Sequence, residues 1–78
     1  MDNNLIEDIK SKVNAVLNDS RVLEDNDFDL TQCDRMDSVN RVAILVAIED
    51  EYDFIFKLKE ISSWNTVNQL VEIVENHI

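Results

Sequence analysis

Leu5, Ile9, Val13, Val16 and Leu17 recur at spacings of four, four, three and one, which predicts one apolar stripe on a helix over residues 3–18. Lys10 and Lys12 lie off that stripe, where solvated charge is expected. Asn18-Asp19-Ser20 supplies the stop, because such side chains compete with a helix for its own backbone groups. Residues 19–37 have no clean period, yet Val22, Leu23, Phe28, Leu30 and Met36 are spread through them as apolar anchors. This reads as a long loop pinned to a core, and loops of that length in small domains are usually functional or mobile. From Ser38 the period returns. Val42, Leu45, Ile48 and Tyr52 form the expected core face of a second helix, capped by Asp37 or Ser38. Phe54, Phe56 and Leu58 alternate with Ile55 and Lys57, but no second strand signal exists for pairing, so a connection into a helical turn over residues 57–61 is expected. Thr66 then caps a last helix whose stripe is Val67, Leu70, Val71, Val74 and Ile78. The expectation is an all-α fold: a single domain over 1–78, a small three-to-four-helix bundle with a long loop between the first two main helices.

Composition narrows the function classes. Seventeen Asp and Glu against seven Lys and Arg leave a formal charge of −10. That balance repels phosphate backbones and anionic bilayers, which argues against nucleic-acid binding and membrane insertion. Gly 0 and Pro 0 remove glycine-rich phosphate loops and glycine-led hairpins. No apolar run reaches a membrane span, and the polar opening Met1-Asp2-Asn3-Asn4 does not read as a secretory signal; a cytoplasmic monomer is expected.

Several candidate chemistries fail on spacing. Asp25-Asn26-Asp27-Phe28-Asp29 starts like a calcium loop, but Leu30 stands where the turn needs glycine and Met36 where the bidentate glutamate belongs. One histidine, His77, cannot make a triad without an orienting partner. The single Cys33 has no second cysteine and no nearby base, and is expected to be a partly buried, inert thiol. No catalytic residue and no metal ligand is assigned, so a small metal-dependent hydrolase is remote. Acids crowd the end of the second helix at Glu49, Asp50, Glu51 and Asp53, where they oppose the helix dipole. A surface for a basic partner or simple solubilising charge accounts for them.

The stretch from Asp37 to Asp53 carries a resemblance. Asp37-Ser38-Val39 opens a helix, Val42 to Ile48 is an apolar run, and Glu49-Asp50-Glu51-Tyr52-Asp53 is an acidic and aromatic close. This resembles the phosphopantetheine attachment site of the acyl carrier and peptidyl carrier proteins, and the order of elements over nearly the whole chain is similar to theirs. The resemblance implies a bundle of the acyl-carrier type in which Ser38 carries covalent 4'-phosphopantetheine. Asp37 would orient the metal and hydroxyl during attachment, with the magnesium ion belonging largely to the partner enzyme. It further implies a docking surface of Val39, Ala43, Val46, Glu49, Asp50 and Asp53, and as partners a phosphopantetheinyl transferase, an acyl- or aminoacyl-loading ligase and a downstream transferase or synthase. Such a carrier presents cargo and is not itself an enzyme. Arg41 and Ala43 stand where many of the family's fatty-acid carriers present carboxylates, which points to a specialised biosynthetic pathway. Trp64-Asn65-Thr66 resembles the D-alanyl carriers. The alternative is an unmodified acidic interaction module in which Asp37-Ser38 is only a helix cap.

Overall fold

The computed structural model describes residues 3–78. Four α-helices follow in order, α1 (Asn3–Leu17), α2 (Arg21–Glu24), α3 (Ser38–Tyr52) and α4 (Val67–Glu75). Two 3-10 turns, Leu30–Gln32 and Leu58–Glu60, interrupt the connections, and no strand occurs among the described residues. α1 is the central element and packs on α2, α3 and α4. The Cα radius of gyration is 11.2 Å, close to the ~11.5 Å of a compact chain of this length. The all-α bundle expected from the periodicity is the architecture observed.

α1 buries Leu5, Ile9, Val13 and Leu17. It stops where a left-handed residue is needed: Asn18 has φ 52° and its N–H bonds back to the Asn14 carbonyl at 2.7 Å. α3 ends the same way, with Asp53 at φ 58° donating to the Glu49 carbonyl. Glycine is the residue that ordinarily takes this cap. In a chain without glycine, Asn and Asp take it, being the side chains that tolerate the left-handed region best.

The segment between α1 and α3 is more structured than a plain loop, since it contains α2 and the first 3-10 turn. Val22, Leu30 and Cys33 are its buried anchors, and Phe28 and Met36 pack partly against the core. Leu23, expected among the anchors, is instead half exposed. Backbone bonds sew the segment to the start of α4. The Leu30 N–H donates to Asn65 O at 2.8 Å and the Asn68 N–H to Asn26 O at 3.1 Å, while the Asn68 amide reaches Asp27 Oδ1 at 2.7 Å.

Three further expectations are corrected. Val42 is not on the core face of α3; it is 47% exposed, and Ile44 takes its place beside Leu45 and Ile48. α3 is apolar around most of its circumference, so period alone left its rotation open. Lys10 is buried rather than solvated, because its long aliphatic stem covers the bundle while its ammonium reaches Glu7 at 3.4 Å. Ile78 lies beyond the end of α4 and is exposed. Trp64 is fully buried.

Candidate functional site

The site is built where the connection after the first 3-10 turn runs into α3. Asp29 caps that turn, its Oδ1 accepting from the Thr31 N–H and hydroxyl, and these bonds hold its carboxyl below the usual range. Asp25 Oδ1 likewise accepts from the Asp27 N–H. The loop acids thus spend oxygens on their own backbone, and no group of three or more His, Cys, Asp or Glu side chains is arranged to hold a metal ion among the described residues.

Asp37 is the N-cap of α3. Its backbone is extended, and its Oδ1 accepts from the Asn40 N–H at 2.8 Å, satisfying one of the donors that a helix start leaves unpaired. The Asn40 amide in turn donates to the Arg35 carbonyl at 2.6 Å, which fixes the approach to the helix. Ser38 is therefore the first residue of a rigid element. It is exposed, and its hydroxyl has no hydrogen-bond partner among the described residues.

Val39 is 75% exposed, and Val46 and Ala43 are also on the outer face. Val42, which the sequence assigned to the core, joins them to make an exposed apolar stripe running away from Ser38 at spacings of three and four. The acids expected at the far end divide into two groups. Asp50 and Asp53 are exposed. Glu49 faces inward enough for its Oε2 to accept from the Phe56 N–H at 2.8 Å, bracing the connection to the second 3-10 turn. Glu51 lies 3.8 Å from the Lys12 ammonium.

Arg41 does not project toward a partner. Its guanidinium lies 4.4 Å from the centroid of the Trp64 ring and donates to the Trp64 carbonyl at 2.7 Å. Burial pushes its pKa down. Nothing local in sequence links residues this far apart; the only signal is an arginine opening an apolar helix and a lone tryptophan before the last one. The indole Nε1 is buried without an acceptor, so packing and the arginine hold the ring. Cys33 is buried as expected, and burial pushes its thiol up to about 11, which leaves almost no thiolate at neutral pH.

No protein-family model, curated protein or solved structure matches this chain.

Proposed function

We propose that this protein is an acyl or aminoacyl carrier of the cytoplasm, with Ser38 as the attachment point for 4'-phosphopantetheine and a role in a specialised biosynthetic pathway. The observation that carries the reading is the exposed, unengaged Ser38 hydroxyl at the head of a capped helix. The residues fit the group: in attachment the Ser38 oxygen gives up its proton and becomes the ester oxygen of the pantetheine phosphate, while the nucleotide half of coenzyme A leaves. Asp37 keeps the helix start in place through one carboxylate oxygen and has the second for orienting the hydroxyl and the transferase's metal. When bound, the arm supplies a thiol that holds cargo as a thioester. The stripe of Val39, Val42, Ala43 and Val46, with Asp50 and Asp53 beyond it, supports docking against an apolar, basic-rimmed partner surface, and such charge matching acts mostly on association rate. Glu49 contributes to docking only through the oxygen that Phe56 leaves free.

The cap itself favours a second reading, the unmodified interaction module, because Asp37 already has a structural task. One experiment separates them. Incubation with coenzyme A, magnesium and a broad-specificity phosphopantetheinyl transferase is expected to add one phosphopantetheine mass, and Ser38→Ala to abolish it while the far-ultraviolet circular dichroism stays helical. Absence of the mass with several transferases favours the module.

A further inference from the structure

The seam that borders the Ser38 end of α3 lies between the first turn of that helix and residues 61–65, and two side chains fill it. Trp64 has no solvent exposure. Arg41, one turn after Ser38, covers the indole at 4.4 Å. The guanidinium is also tied to the opposite wall, donating to the Trp64 carbonyl at 2.7 Å and lying 3.5 Å from the Ile61 carbonyl and 3.4 Å from Asn65 Oδ1. A partly desolvated cation over an aromatic face is held more strongly than an exposed one. A pocket of about 440 Å³ lies elsewhere, lined by Asn4, Leu5, Tyr52, Glu75 and Ile78. Tyr52 is the last residue of α3, about 20 Å along the axis from Ser38 at 1.5 Å per residue.

Resting on the reading of Ser38 as the attachment site, we infer that Arg41 and Trp64 form a latch that shuts the core beside it, so the cargo is a short or polar acyl or aminoacyl group held in solvent. A long alkyl chain on the arm leaves water only where apolar volume is open to it, and a close-packed interior offers none. Entry at this seam requires moving a fully buried indole and breaking the contacts of Arg41 to three residues at once. A short or polar group has little to gain from burial and loses nothing by staying outside.

The test compares chain lengths on two versions of the protein. Wild type is loaded with acetyl, hexanoyl and decanoyl phosphopantetheine through the transferase. Ser38→Cys is alkylated with methyl, hexyl and decyl iodoacetamide, which spares Cys33 because that thiol is buried and titrates near 11. The readouts are Tm and the emission maximum of the single tryptophan. Neither is expected to shift along either series. A Tm that climbs with chain length, or an emission shift confined to the longer chains, overturns the inference. Arg41→Ala is expected to introduce a dependence on chain length, and Trp64→Leu to do so wherever it folds. If the folded variants remain as indifferent as wild type, the latch is not the barrier and the assignment falls. If the transferase adds nothing to wild type, the reading of Ser38 falls, while the alkylated series still decides whether the core beside position 38 admits a chain.

Discussion

Oδ1 of Asp37 accepts the Asn40 N–H while the neighbouring residue offers its hydroxyl to solvent, so one carboxylate stands in both the fold and the proposed chemistry. Substitution separates the two. Asp37→Ala loses the cap and is expected to lower stability by about 0.5–2 kcal/mol. Asp37→Asn keeps an acceptor at the same place and is expected to hold stability within a few tenths of that of wild type, since Asn and Asp cap about equally well. Both are expected to slow phosphopantetheine transfer if the charge orients the metal. Urea denaturation read beside a mass-detected time course checks this; Asp37→Asn modified at the wild-type rate leaves the carboxylate with the cap alone. The cap at Thr66 was legible in the sequence, and that of α3 was narrowed to Asp37 or Ser38, because cap chemistry is settled within four residues. Arg41 was not: a cation in an apolar helix reads as exposed until the partner, 23 positions away, is known. Lys10 misled for a related reason, since its charge and its stem lie in different environments.

At the scale of elements, the rotation of α3 was hidden by its own composition. With Val39, Val42, Ala43, Ile44, Leu45, Val46, Ala47 and Ile48 in one helix, several faces are apolar enough to be buried, and tertiary contacts choose Ile44, Leu45 and Ile48. The exposed stripe used in the proposed docking follows from that choice, which is why Val42 was missed. A second tie locks the far end of α3 to α1. The Tyr52 hydroxyl donates to Asp8 Oδ2 at 2.5 Å and the Lys12 ammonium to Asp8 Oδ1 at 2.9 Å. Burial works to raise the Asp8 pKa, and these two donors together outweigh it, leaving the carboxyl below its ordinary 3.8. A depressed folded pKa stabilises the native state above the unfolded value, and that contribution is lost as pH falls through the folded one. Tyr52→Phe is expected to cost about 1 kcal/mol at neutral pH, less than is usual for a bond to a charged group because Asp8 is partly exposed. It should also narrow the gap between neutral and acid stability. Urea midpoints for wild type and variant from pH 7 down to pH 3 check this: the two curves should converge as the pH drops below about 4, and parallel curves would show that Asp8 is not the titrating group.

For the molecule as a whole, the helical periods and the absence of glycine turns were enough to reach the bundle, since fold class depends on where apolar surface must go. They were not enough to place charge. Of the seventeen acids, all but Asp2 fall among the described residues, which span 28 × 26 × 18 Å. Several cations are already committed locally: Arg21 to Asp19 at 2.7 Å, Lys12 to Asp8, Lys10 to Glu7, and Arg41 to Trp64. The remaining carboxylates share a body of that size, against a Debye length of about 10 Å at 0.1 M salt and about 30 Å at 0.01 M. At low salt their mutual repulsion spans the molecule and favours expansion. At physiological salt it is largely screened, whereas the contacts near 3 Å lose much less. Tm is therefore expected to rise between ten-millimolar and physiological sodium chloride. Each kcal/mol recovered corresponds to about 4–8 °C for a domain of this size. Calorimetry at several salt concentrations, with sodium chloride and with tetramethylammonium chloride at equal ionic strength, makes the check. Equal rises in the two salts identify screening, a rise in sodium alone identifies site binding, and a flat or falling Tm shows that the local ion pairs outweigh the repulsion.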